Sequence, residues 1–135
     1  MTETIASTRS CILVIEDNSA NMMLVVAVLE RAGFRVAQAT SAEEARRLIE
    51  TLRPDVILMD IQLPGQDGLS LTRELKTNLA TAHIPIIALT AHAMKGDEVQ
   101  AMAAGCDAYV AKPINTHTFA AVVAQFLPHQ PKTAA

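Results

Sequence analysis

Val56-Ile57-Leu58-Met59-Asp60-Ile61-Gln62-Leu63-Pro64 is the stretch on which the fold turns. Val56–Met59 runs through four apolar residues without a polar break and ends abruptly on an aspartate. A strand with one wet face would alternate apolar with polar residues. This run does not, so it reads as a strand covered on both faces, the condition of a parallel sheet with helices above and below it. Three further runs carry the same mark: Cys11–Ile15, Ile84–Leu89 and Ala108–Ala111. A weaker one, Phe34–Ala37, follows Gly33 and suits an edge strand. Between the runs the period changes to that of a helix. Met22, Val25, Val26 and Leu29 share one face, as do Phe119, Val122, Val123 and Phe126. Ser41-Ala42-Glu43-Glu44 has the form of a capping box, Ser41 capping and Glu44 reaching back. Gly33 and Gly105 stand where helices should stop. Pro54 and Pro85 stand before or at the start of strands, where a missing N–H is tolerated.

The order is thus β-α five times over, a doubly wound α/β (βα)5 fold with a five-stranded parallel sheet. A chain of 135 residues has room for one such domain. The expected layout is a flexible N-terminal segment over 1–9, one domain over 10–127 and a flexible tail over 128–135. A formal charge of −3 and the lack of a Lys/Arg cluster argue against nucleic acid as a ligand. No stretch has signal-peptide form and none is long enough to span a bilayer, so the expected setting is cytoplasmic, without membrane insertion. Cys11 and Cys106, far apart, read as small core residues.

In an open parallel sheet, ligands bind at the carboxyl ends of the strands where the strand order reverses. Strand order 2-1-3-4-5 sets the first and third strands side by side at that point. The first ends in Glu16-Asp17 and the third in Asp60, so three carboxylates should meet in one crevice. Such a cluster is self-repelling unless a positive charge lies among it. Lys112 at the end of the fifth strand supplies one charge, which leaves a deficit that a hard divalent cation would fill. Mg²⁺ prefers a few carboxylates together with water and phosphate oxygens. Thr90, closing the fourth strand, offers a hydroxyl to a phosphate oxygen. Any one of these residues alone would read as a turn, a cap or a solvated loop. Together, four strand ends supply what a transferring phosphoryl group needs.

From about Ser10 to Leu127 the chain resembles the receiver domains of bacterial response regulators, a flavodoxin-like fold. The resemblance rests on Glu16-Asp17, on Asp60 after Val56–Met59, on Thr90 in Leu89-Thr90-Ala91, on Lys112-Pro113, and on Tyr109 at the switch-aromatic position. Met59–Pro64 and Ala93–Glu98 are similar to stand-alone regulators of the DivK type. The family implies that Asp60 is the phosphoacceptor, taking the group from a histidine of a sensor histidine kinase or a histidine phosphotransfer protein. It implies that Mg²⁺ is held by Asp17 directly, by Glu16 chiefly through water, by Asp60, and by the backbone carbonyl of Gln62. Lys112 and Thr90 would hold the phosphoryl oxygens. Gln62 and His92 would tune the lifetime of the phosphoryl group. Thr90 and Tyr109 would switch the surface of helix four, strand five and helix five towards a downstream regulatory protein. The Lys112–Pro113 bond would be cis. Many members have Asp where this chain has Glu16, a common variant. Such a protein is a monomer or weak dimer and not a turnover enzyme; it catalyses only its own phosphorylation and dephosphorylation.

Other readings of the residues exist. A flavodoxin-like cofactor binder would need a Ser/Thr/Gly-rich phosphate loop after the first strand, and here that loop is Glu16-Asp17-Asn18-Ser19. A haloacid-dehalogenase-type phosphatase would need an aspartate two residues after the nucleophile, where Gln62 stands. A receiver-like interaction domain would lack a key residue. A receiver excised from a hybrid histidine kinase is also compatible, although Met1 and the short tail favour a stand-alone protein.

Overall fold

A computed structural model describes residues 10–63, 67–91 and 95–127. Five strands alternate with five helices: β1 (Cys11–Ile15), α1 (Ser19–Arg31), β2 (Arg35–Ala39), α2 (Ala42–Leu52), β3 (Val56–Asp60), α3 (Gly68–Thr77), β4 (Ile86–Thr90), α4 (Lys95–Ala104), β5 (Ala108–Ala111) and α5 (Phe119–Ala124). All strand pairs are parallel and the order is β2-β1-β3-β4-β5. The segments expected to be flexible, 1–9 and 128–135, lie outside the described residues.

The central strands β1, β3 and β4 are buried at every position, which is why their sequences never alternate. Alternate residues of each strand still face opposite sides. Leu13, Ile15, Ile57 and Met59 pack with Ala45 and Ile49 of α2, Leu71 and Leu75 of α3, and Ala101 of α4. Ile12, Val14, Leu58 and Leu89 pack with Met22, Val25 and Leu29 of α1 and with Phe119 and Val123 of α5. Two layers of helix therefore sandwich the sheet, two helices on one face and three on the other.

The boundaries of two strands differ from the sequence expectation, each for a local reason. β2 begins and ends later because its register follows β1 from Cys11↔Arg35 to Ile15↔Ala39. β4 begins at Ile86 because the Ile84 N–H is spent on Thr81 O in the preceding turn. β3 ends in Asp60, as expected, and Asp60 pairs with Leu89. The capping box is also displaced. Ser41 Oγ accepts from Glu44 N at 3.2 Å as expected, but Glu44 Oε1 reaches the N–H of Thr40, 2.8 Å away, one residue before the cap. Gly33 and Gly105 adopt the left-handed region (φ 100° and 112°) and end α1 and α4 as anticipated. Helix α5 is short. Phe126 lies just beyond it, yet still packs on the α1/α5 side of the core.

Core burial outweighs the surface ion pairs in this fold. Leu29 is fully buried, so Leu29→Ala should cost about 2–5 kcal/mol in urea unfolding. Arg46 and Glu74 form a two-pronged pair between α2 and α3 at 2.6 and 2.8 Å, but both side chains are more than a third exposed. Glu74→Ala should therefore cost under about 1 kcal/mol.

Candidate functional site

The register of the sheet builds the site. Ile15 of β1 pairs with Met59 of β3, so Glu16, one residue on, comes level with Asp60. Asp60 pairs with Leu89, and Thr90 with Ala111, which brings the ends of β4 and β5 alongside. The Lys112 N–H donates to Thr90 O at 2.7 Å and fixes the turn after β5 to the end of β4. The Lys112–Pro113 bond is cis, as the family resemblance implied.

The charges are arranged unevenly. Glu16 is 1% and Asp60 2% exposed, whereas Asp17 points to solvent. Lys112 Nζ lies 2.8 Å from Glu16 Oε1 and 3.3 Å from Asp60 Oδ2, its side chain 11% exposed. Glu16 Oε1 receives no hydrogen bond of good geometry, so the lysine holds it by charge and proximity. The other oxygen, Glu16 Oε2, accepts from Asn18 N at 3.2 Å, and Asn18 in turn caps α1 by accepting from Asn21 N at 2.9 Å. Asp60 Oδ1 accepts from the Gln62 N–H at 2.9 Å. Burial above all, with the Glu16 carboxylate beside it, pushes the Asp60 carboxyl up to about 7 against the opposing pull of the Gln62 amide and Lys112.

A ligand oxygen from each of Glu16, Asp17 and Asp60 can be chosen so that all lie within 4.8 Å of one another. Three carboxylates against one ammonium, with one buried oxygen lacking any hydrogen bond, are a donor set suited to a hard divalent cation. Thr90 is fully buried at the end of β4. The Gln62 side chain is exposed beside the crevice. Tyr109 is half-buried on β5 against the core face covered by α2, α3 and α4. His92 lies outside the described residues. Among these residues, no helix is long and apolar enough to cross a membrane.

The profile of the family described as "Response regulator receiver domain" matches residues 12–124. The chain belongs to that family. This receiver is 42% identical over 116 residues to the polar-differentiation response regulator DivK of Brucella anthropi, covering 86% of this chain and 94% of that protein. In structure it is similar to the receiver domain of the sensor histidine kinase PA1611 of Pseudomonas aeruginosa, which was crystallised with a magnesium ion coordinated in its active-site cleft. That match has 37% identity and a TM-score of 0.81, covering 88% of this chain and 98% of the other. A CheY-like receiver domain protein of Methanospirillum hungatei matches at 28% identity and a TM-score of 0.82, covering 93% and 99%. Receiver domains are phosphoacceptors, and the family binds Mg²⁺ at its acidic pocket.

Two features of this receiver's site had no signature in the sequence. The pairing of Lys112 with Glu16, closer than its approach to Asp60, depends on side-chain reach. The Gln62 amide bond to Asp60 depends on the backbone turning immediately after β3, and a run such as Asp60-Ile61-Gln62-Leu63 does not announce that turn.

The raised Asp60 pKa makes stability depend on pH with a definite sign. An unfolded carboxyl ionises near pH 4, and the folded one near 7, so ionisation of Asp60 progressively destabilises the metal-free fold across that interval. Metal-free Asp60→Asn should match wild type below about pH 4 and exceed it by about 2–4 kcal/mol above pH 7. Urea unfolding as a function of pH measures this; a difference independent of pH would contradict the assignment.

Proposed function

We propose that this receiver takes a phosphoryl group onto Asp60 from a phosphohistidine of a sensor histidine kinase or a histidine phosphotransfer protein, with Mg²⁺ as cofactor. The observation that carries the reading is the placement of Asp60: a buried carboxylate at the β1/β3 crossing, within 4 Å of Lys112 and clustered with Glu16 and Asp17. In the transfer, an Asp60 carboxylate oxygen forms the new bond to phosphorus while the bond from phosphorus to the histidine nitrogen breaks. The departing imidazole retains the electron pair and takes a proton. The transition state is loose, so positioning and charge neutralisation supply most of the rate. The Gln62 amide fixes one carboxylate oxygen of Asp60, which leaves the other, on the Lys112 side, to vary. Lys112 is placed to leave Glu16 and follow the phosphoryl oxygens, and the Thr90 hydroxyl to donate to one of them. Asp17, Glu16, Asp60 and the Gln62 carbonyl would hold the Mg²⁺, which when bound supplies positive charge against those oxygens.

The product adds about −1.5 to −2 charges where two buried carboxylates already share one lysine. That change drives the output. Movement of the Thr90 hydroxyl towards the phosphoryl group vacates space beside β5, into which the half-buried Tyr109 ring can turn further. Burial of the ring contributes about 1–3 kcal/mol, enough to shift a two-state equilibrium by one or two decades. The surface of α4, β5 and α5 then engages a downstream regulatory protein; Val99 and Met102 already stand exposed on α4. Gln62 and His92 tune hydrolysis of the acyl phosphate. Residues 10–127 form the signalling unit of a cytoplasmic protein that contacts neither nucleic acid nor membrane.

Asp60→Asn should keep the fold and lose all labelling by a phosphorylated kinase domain, and chelation of divalent cations should abolish labelling of wild type. Undiminished labelling of the variant would overturn the assignment of Asp60. Thr90→Ala should still accept phosphate but lose phosphorylation-dependent partner binding, read by labelling and by co-sedimentation with the partner. Normal partner binding by that variant would mean that the signal leaves by another route.

A further inference from the structure

Glycine is needed for space, and not for backbone conformation, at one described position. A Cβ built on Gly68 would collide with the carbonyl oxygen of Asp60 and lie 2.6 Å from Ile61 Cα and 3.1 Å from the Asp60 carbonyl carbon. Real Cβ atoms do not approach backbone so closely. At Gly33 and Gly96 a Cβ would meet nothing within 4 Å, and at Gly105 it would meet the flexible Lys76 side chain. Gly68 alone among the described glycines faces backbone, and that backbone is the strand end carrying Asp60. We infer that Gly68 is a positioning residue for Asp60: its bare Cα lets the first turn of α3 seat on the Asp60–Ile61 backbone and closes the base of the loop that begins at Gln62. This inference rests on the phosphoacceptor reading of Asp60.

Neither side of the contact can retreat freely. On the strand side, Asp60 is paired with Leu89 and the Ile61 N–H donates to Leu89 O at 3.2 Å. On the helix side, the Gly68 N–H donates to Ile61 O at 3.1 Å. The Asp67 carboxylate caps α3 by accepting from Ser70 N at 2.7 Å. The Gly68 carbonyl accepts from the buried Thr72 hydroxyl at 2.8 Å, and that hydroxyl oxygen lies 3.8 Å from the donating Cys106 thiol. The first turn of α3 is thus fixed both to β3 and to the turn before β5. The Gln62 N–H donates to Asp60 Oδ1 at 2.9 Å, at the mouth of the loop that Gly68 closes. A methyl group at position 68 wedges this base open, displaces Gln62 and loosens the Asp60 carboxylate from Glu16 and Asp17, without removing any polar group from the site.

The test compares Gly68→Ala with Val123→Ala, a buried truncation on the α1/α5 side of the core, by Mg²⁺ calorimetric titration, thermal unfolding and Asp60 labelling. Gly68→Ala should weaken Mg²⁺ binding tenfold or more and slow labelling at saturating Mg²⁺. Val123→Ala, though thermally destabilised, should bind Mg²⁺ as wild type does. A folded Gly68→Ala with wild-type Mg²⁺ affinity overturns the inference, and so does an equal loss in both variants, which would make the effect one of stability alone. Should Gly68→Ala fail to fold, wild type gives the answer by NMR. The Gly68 amide should shift saturably with Mg²⁺ while those of Gly33 and Gly105 stay still, and an unmoved Gly68 amide overturns the inference. Wild type that neither binds Mg²⁺ nor takes label at Asp60 would sink the phosphoacceptor reading itself, a result distinct from all of these.

Discussion

Parallel pairing of β1 with β3 obliges Glu16 and Asp60 to end level with one another, each at most 2% exposed, with Lys112 as the cation they share. Two unit charges of like sign about 4 Å apart repel by about 4 kcal/mol at an effective dielectric constant of 20. One ammonium between them offsets part of this, and burial above all, with what remains of the repulsion, makes Asp60 reluctant to ionise. The site is therefore held in a state that added positive charge relieves. Everything else in the fold serves to keep that juxtaposition in place. The strands around it are buried on both faces, so they cannot splay apart to separate the carboxylates.

Stability and responsiveness occupy different parts of the molecule. The central strands and the inward faces of α1, α2, α3 and α5 form two dry layers in which a rearrangement would cost several kcal/mol. The strand ends are held by few contacts: backbone bonds from Lys112 to Thr90 O and from Ile61 to Leu89 O, the Lys112 ammonium between Glu16 and Asp60, and the Gln62 N–H on the Asp60 carboxylate. Each backbone bond contributes about 1 kcal/mol net, the scale on which a bound phosphoryl group can shift an equilibrium. At the edge, β5 is only partly covered, and Tyr109 sits where it can respond.

Much of this could be read from the residues because burial on both faces leaves an unmistakable unbroken apolar run, as in Cys11–Ile15 and Val56–Met59. The alternation of elements implied a parallel doubly wound sheet, its usual five-strand order set β1 beside β3, and the convergence of Glu16, Asp17 and Asp60 followed from that order. Resolution failed where contacts, and not composition, set the outcome. The edge strand β2 is only partly covered, so its sequence is mixed and its limits came from its partner's register. The capping glutamate Glu44 passed over the expected amide for that of Thr40, a matter of rotamer. Gly68 after Asp67 looks like any turn glycine; its role depends on the Asp60 backbone lying against it, a proximity eight residues back that no local pattern encodes. Lys112 was expected among the three carboxylates, and which of them it approaches most closely, Glu16 at 2.8 Å, depends on the turn geometry after β5.

The central claim, that Asp60 is the atom-bearing acceptor among three clustered carboxylates, can be read directly by chemical trapping. Full-length protein is phosphorylated by a phosphohistidine donor and reduced at once with borohydride, which converts an aspartyl phosphate to homoserine, and the peptides are sequenced by mass spectrometry. The account predicts homoserine at position 60 alone, in an amount equal to the phosphoryl group incorporated. Reduction product at position 17, its reduced-glutamate counterpart at position 16, or incorporated phosphoryl group with an intact Asp60 would contradict it.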